Sequence, residues 1–250
     1  MTVRKDPVLV GQAGWAIPAS TRSRFPATGS CLQRYAAVLP EVEINSSFYR
    51  AHKPATYARW AASVPSAFRF AVKVPKSISH VARLAAAQAQ LDVFAEQVSM
   101  LGCYLGCLLL QLPPSLAFER HVAESFFDAL RRRFSVHVVA EPRHASWFAD
   151  DAERLLCTYR IARAATNPPA PASSLLPGGW DGLVYYRLHG SPRMYFSPYD
   201  PAYIASLAST LLDHARSTKP TWCMFDKIAL GHASSDALDL LEIVSRPGQA

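Results

Sequence analysis

Two hydrophobic rhythms alternate along the chain. Short runs such as Val42-Glu43-Ile44-Asn45, Phe68 to Val74, Leu108 to Leu112 and Val136 to Ala140 are apolar and β-branched enough to read as strands, in which successive side chains point to opposite faces. Between them lie stretches with apolar residues at helical spacing: Leu32, Tyr35, Ala36 and Leu39; Tyr57, Trp60, Ala61 and Val64; Leu91, Phe94, Val98 and Leu101. Ser30 is placed to cap the first helix, Pro54 opens the second, and Pro113-Pro114 breaks the fourth strand. The pattern predicts further helices over 119–133, near 152–159, over 201–215 and over 237–244, and strands near residues 8, 43, 71, 109, 139, 163, 186 and 224.

Strands alternating with helices imply an α/β fold with a parallel sheet, and their number favours a single closed (β/α)8-type, TIM-like barrel. A doubly wound open sheet is the alternative. No GxGxxG turn supports it, and no nucleotide cofactor motif is present. Pro168 to Gly182, rich in Pro, Gly, Ser and Ala, should be an irregular loop in place of helix 6. With no repeat and no shift of composition, residues 1–250 read as one TIM-barrel-like domain.

Composition narrows the partners. Half the residues are hydrophobic and 18% are charged, which fits a folded chain rather than a disordered one. The 26 Lys+Arg against 19 Asp+Glu, a net charge of +7, favour an acidic partner: a small anionic molecule, or nucleic acid. Arg131-Arg132-Arg133 is the one tight basic run, and on a helix it reads as solvated surface. Five cysteines without a CxxC pair are expected to be free, mostly buried thiols in a reducing compartment. Residues 1–6 lack an apolar signal core, and the apolar stretch 101–110 is too short to cross a bilayer, so no membrane partner and a cytoplasmic location are expected.

In such a barrel functional groups gather at the C-terminal ends of the strands. Those ends here carry Glu43 and Asn45, Lys73, Gln111, Glu141 with Arg143 and His144, Asn167, Arg187 with His189, and Asp226. Glu43/Asn45, Glu141/Arg143 and Arg187/His189 are i, i+2 pairs, which share a strand face and can point into one cavity. Each residue alone has an ordinary explanation: a structural ion pair, a tied loop backbone, a satisfied core histidine. Their recurrence at one strand end after another favours a ligand site. Asn45, Lys73, Gln111, Arg143 and Arg187 are the expected substrate-binding groups, the cations holding an anion. Glu43, Glu141, His144, His189 and Asp226 are the expected acids and bases. The same acidic and imidazole groups are compatible with a divalent metal, although no HxH, HxxE or HExxH spacing occurs. There is no GxSxG elbow, and no cysteine lies at such a strand end beside a histidine, so a serine or cysteine nucleophile is not expected.

The segments Glu41-Val-Glu-Ile-Asn-Ser-Ser-Phe-Tyr-Arg50, Phe68-Arg-Phe-Ala-Val-Lys-Val-Pro75, Leu108-Leu-Leu-Gln-Leu-Pro-Pro-Ser115, Glu141-Pro-Arg-His-Ala-Ser-Trp147, Tyr186-Arg-Leu-His-Gly190 and Trp222-Cys-Met-Phe-Asp226 together resemble the YecE-like family, a bacterial domain of unknown function. The resemblance runs from about Val8 to Leu241 and implies a TIM-barrel-like fold; it implies no reaction. Two strand ends depart from the family pattern, which has Ala-Asp-Pro where this chain has Thr166-Asn167-Pro168, and Asp-Asn where it has Asp226-Lys227. If both face the pocket, they shift its rim by about two positive charges, favouring a more anionic ligand and disfavouring a divalent cation.

Three functions fit these residues. The leading one is an enzyme doing acid–base chemistry, as a hydrolase or isomerase would, on a small anionic molecule, phosphorylated or sugar-like. A non-catalytic ligand-binding barrel and a metal-assisted nucleic-acid-processing protein are the alternatives.

Overall fold

A computed structural model describes residues 8–217, 219–226 and 231–246. The strands are β1 (Val8–Ala13), β2 (Glu41–Ile44), β3 (Arg69–Lys73), β4 (Leu105–Gln111), β5 (His137–Glu141), β6 (Ile161–Arg163), β7 (Ala165–Asn167), β8 (Gly178–Gly179), β9 (Val184–Leu188) and β10 (Thr221–Phe225). All pair in parallel except β8, which lies antiparallel to β6. The sheet order is β7-β9-β10-β1-β2-β3-β4-β5-β6-β8. Since β6 and β7 are halves of one stave interrupted at Ala164, one half pairs with β5 and the other with β9, and the sheet curls into a nearly closed, parallel-dominated barrel. The eight strand positions expected from the sequence become its eight staves, the sixth broken in two.

The helices are α1 (Cys31–Ala36), α2 (Pro54–Ala61), α3 (Gln88–Ser99), α4 (Arg120–Arg133), α5 (Asp150–Thr158), α6 (Pro201–Arg216) and α7 (His232–Val244). Ser30 caps α1 in a reciprocal box, its Oγ accepting from the Gln33 amide while Gln33 Oε1 accepts from the Ser30 amide. Pro54 sits in the first turn of α2, where its missing N–H costs nothing. α7 begins at His232, earlier than the apolar pattern from Ala237 suggested. Between Pro168 and Gly182 there is no α-helix, only a 3-10 turn (Ala172–Leu175) and β8.

Alternation along the strands builds two cores. Outward-facing Val10, Val42, Ile44, Phe70, Val72, Leu108, Leu110, Val138 and Phe225 pack under the helices, where Phe94, Phe126 and Trp60 meet them. Inward-facing Leu9, Ala71, Cys107, Leu109, Val139, Tyr185, Trp222 and Met224 fill the barrel. Gly106 makes room there, since a Cβ at that position would lie 2.7 Å from Trp222 Cζ2. The cysteines depart from expectation: Cys107 and Cys223 are buried free thiols, but Cys31, Cys103 and Cys157 are exposed. They lie on or beside surface helices, and their apolar sequence neighbours are the ones that turn inward. No helix among the described residues is long and apolar enough to cross a membrane.

Candidate active site

Along most staves the inward-facing row turns from apolar to polar towards the C-terminal end: Ala71 then Lys73, Leu109 then Gln111, Val139 then Glu141, Tyr185 then Arg187 and His189, Met224 then Asp226. The barrel therefore has a dry lower half and a charged upper half.

Arg187 is the centre of the charged layer, with 0% of its surface exposed. Its Nε and Nη2 grip Glu43 in a fork, at 3.0 Å to Oε2 and 2.7 Å to Oε1. Nη1 donates to Glu141 Oε2 at 2.9 Å, and Nη2 also lies 2.7 Å from Asp226 Oδ2. Tyr185 Oη adds a 3.3 Å hydrogen bond to Glu43 Oε2. Glu141 Oε1 accepts from Gln111 Nε2 at 3.1 Å and from Arg143 Nε and Nη2 at 3.1 and 2.9 Å. Burial alone would raise the Glu141 and Asp226 carboxyls, but Arg187 and His189, with Arg143 for Glu141 and Lys73 for Asp226, hold both below the usual carboxylate range. Burial likewise works against the Arg187 charge, and the three carboxylates outweigh it.

His189, 2% exposed, lies between two of these carboxylates, Nδ1 at 3.3 Å from Asp226 Oδ2 and Nε2 at 3.7 Å from Glu141 Oε1. Neither ring nitrogen makes a well-formed hydrogen bond to a described residue. Desolvation lowers its pKa, and the pull of Asp226 and Glu141 reverses that, leaving the imidazole raised above its ordinary value.

Above this layer opens a cavity of about 510 Å³ whose wall includes Asn45, Lys73, Gln111, Arg143 and Asp226. The segments that follow the strands add Phe48, Tyr49, Lys76, His80 and Tyr195, none of them among the site residues expected from the sequence. Tyr195 comes from the loop after β9 and sets its ring edge-on to His189, centroids 5.5 Å apart. Burial first, and then the charges of Lys73, Lys76 and Arg143, hold His80 below the ordinary imidazole value. Phe48, Tyr49 and Lys76 also border a neighbouring apolar cavity of about 520 Å³, where Tyr49 is 75% exposed.

The sequence-predicted residues thus separate into tiers. Asn45, Lys73, Gln111, Arg143 and Asp226 line the mouth; Glu43, Glu141, Arg187 and His189 are buried outside its lining, tied to it through Gln111, Arg143 and Asp226. Two expectations are corrected. Arg187 cannot hold a substrate anion as expected, because all three of its guanidinium nitrogens are taken by carboxylates in a fully buried place. His144 does not line the mouth: it caps the 3-10 turn Ala145–Phe148, with Nδ1 3.2 Å from the Ser146 amide and 2.9 Å from its Oγ. An i, i+2 argument reaches Arg143 from Glu141 but says nothing for the next residue, which turns away. Asn167 is also outside the mouth's lining; its carbonyl accepts from the His189 amide and from Tyr199 Oη, both at 2.7 Å, and its Oδ1 has no hydrogen-bond partner among the described residues. Lys227 lies outside the described residues. For a divalent metal, the three converging carboxylates already surround Arg187, and no group of His, Cys, Asp and Glu among the described residues is arranged to hold an ion.

One group inside the barrel was not foreseen. Glu41, two residues before Glu43 on the same face, is fully buried, and neither carboxyl oxygen has a hydrogen-bond partner among the described residues. Gly11 admits it, because a Cβ there would lie 2.7 Å from Glu41 Cγ. Burial, reinforced by the charge of Glu43, raises its pKa well above the ordinary 4.5, so that the neutral acid is favoured.

The profile of the family described as "Protein of unknown function DUF72" matches residues 9–250. The chain belongs to the DUF72 family. It is 31% identical over 161 residues to the UPF0759 protein YecE of Escherichia coli (strain K12), a match covering 64% of this chain and 57% of that relative, so it spans a little over half of the relative's length. Two DUF72 crystal structures share the fold. One, from Enterococcus faecalis V583, has a TM-score of 0.80 at 20% identity, covering 96% of each chain. Another, from Thermotoga maritima MSB8, has a TM-score of 0.78 at 22% identity, covering 96% of this chain and 99% of that one. The DUF72 assignment agrees with the resemblance read from the strand-end segments.

Proposed function

We propose that the barrel mouth is the active site of an enzyme that binds a small anionic molecule, phosphorylated or sugar-like, and moves a proton on it. The observation that carries this reading is the division of charge between the two tiers. The three carboxylates of the charged layer share Arg187, and Glu141 is also paired with Arg143, whereas Lys73 and Lys76 stand on the cavity wall with no carboxylate paired to them among the described residues. An anion entering from solvent meets those cations first, with Arg143 able to give a two-pronged contact if it turns from Glu141. Asp226, on the wall of the same cavity and 3.3 Å from His189, is the group best placed to exchange a proton with the bound molecule, and Arg187, then His189, lower its proton affinity against the effect of burial.

Titration of the purified protein with inorganic phosphate and with a phosphorylated sugar tests the anion part. Both should raise the melting temperature, and a hundredfold excess over Kd corresponds to about 2.7 kcal/mol of stabilisation. Arg143→Ala should weaken phosphate binding tenfold or more. Affinity unchanged in that variant would remove the cationic mouth as the binding site. Tighter, steeply salt-dependent binding of a single-stranded oligonucleotide would favour the nucleic-acid reading instead.

A further inference from the structure

The chain has six lysines: Lys5, Lys53, Lys73, Lys76, Lys219 and Lys227. Lys73 is set apart from its described fellows by burial at 4% exposure, inside the barrel at the end of β3. Its Nζ makes no ion pair or hydrogen bond with any described residue, although Glu43, Glu141 and Asp226 are near enough to act on it through space. The carboxylates are committed to Arg187. Nζ instead rests 4.2 Å from the centroid of the Phe48 ring, at the wall of the cavity. A lysine meant only to attract anions works best solvated and fully charged, and the exposed Lys76 already supplies that at the rim.

We propose that Lys73 is a carbonyl-capturing amine, and that the molecule bound in the mouth is an aldehyde or ketone that condenses with Nζ to form a Schiff base. The inference deepens the acid–base reading above and rests on it for the location of the site. Desolvation, with repulsion from Arg187, lowers the Lys73 pKa to about 8, the three carboxylates offsetting part of the fall. A useful share of neutral amine is therefore present at neutral pH, as amine nucleophiles require. The neutral nitrogen adds to the carbonyl carbon and the C=O π pair moves to oxygen, which takes up a proton. Nitrogen loses one proton, the hydroxyl leaves as water after gaining another, and a protonated imine remains. The net change is ammonium plus carbonyl giving iminium plus water, with no oxidant or reductant. Asp226, on the same cavity, is placed to carry the proton from nitrogen to the departing hydroxyl. The iminium then draws electrons from the adjacent carbon, easing the proton removal proposed for this site.

The test is reductive trapping on the unaltered protein. Glyoxylate, an anionic aldehyde, and acetaldehyde, a neutral one, are each added with cyanoborohydride between pH 6.5 and 9, and labelled lysines are located by peptide mass mapping. Lys73 should be labelled at least tenfold faster than Lys53, Lys76 or Lys219, with a rate that rises through about pH 8 and then levels, whereas surface lysines keep rising. Labelling spread evenly over the lysines, or a Lys73 that stays unlabelled, overturns the inference even if phosphate binds. Preference for Lys73 with both aldehydes, without phosphate binding, keeps the Schiff base and removes the anionic group from the substrate.

Discussion

Replacing Arg187 by methionine, which nearly keeps its length and removes its charge, tests how the charged layer is held together. The guanidinium makes the fork to Glu43, the bond to Glu141 and the ion pair to Asp226 with none of its surface in water. Removing it leaves three carboxylates without their common counter-ion in a medium that solvates them poorly. Breaking a buried pair from one side costs about 3–5 kcal/mol. For a chain of this size about 2–4 °C of melting temperature accompanies each kcal/mol, so Arg187→Met should melt about 6–20 °C lower at pH 7.5. The loss has a pH signature. In the wild type Glu141 and Asp226 are held below their ordinary values, so their contribution is present above the unfolded carboxylate pKa and fades as pH falls through the folded one. In the variant burial dominates, the carboxyls favour their protonated forms, and lowering the pH towards 5 relieves them. Scanning calorimetry of both proteins from pH 8 to pH 5 should show the gap narrowing. A gap under about 2 °C at pH 7.5, or one that stays constant with pH, would refute the account of Arg187 as the counter-ion of the layer.

Glu41→Gln should stabilise the protein increasingly as pH rises from 5 to 8. An acid whose pKa is raised by folding contributes stability below its unfolded value and loses it above, and glutamine cannot ionise; denaturant melts giving a pH-independent difference would contradict this. His144→Ala should cost about 1 kcal/mol through loss of its cap while leaving phosphate affinity unchanged, and a calorimetric titration showing weaker binding would return His144 to the site.

The barrel was legible in the sequence because its information is local. A strand buried on its outer face by helices and on its inner face by the barrel core shows as a short apolar run, and a surface helix shows its 3.6-residue stripe, whatever lies around them. The polar ends of those runs were legible for the same reason: Glu43, Lys73, Gln111, Glu141, Arg187, His189 and Asp226 interrupt apolar rows where packing alone would continue them. What each polar group does was decided only by closure of the sheet. Arg187 looks in sequence like any cation available to a ligand, and becomes a counter-ion because β2, β5 and β10 bring three carboxylates around it from residues 43, 141 and 226. That same arrangement leaves Lys73 without an ionic partner among the described residues although it sits near all three. Glu41 was not singled out in the sequence, and only the close approach of Gly11 on the neighbouring strand turns it into a buried acid without a hydrogen-bond partner among the described residues. Tyr195 gave no signal at all, because a loop carries no periodicity, and its place over His189 depends on where the loop after β9 folds back. Side-chain period is set by the backbone within a few residues, but charge pairing and desolvation depend on which distant strands become neighbours, and that is a property of the closed barrel.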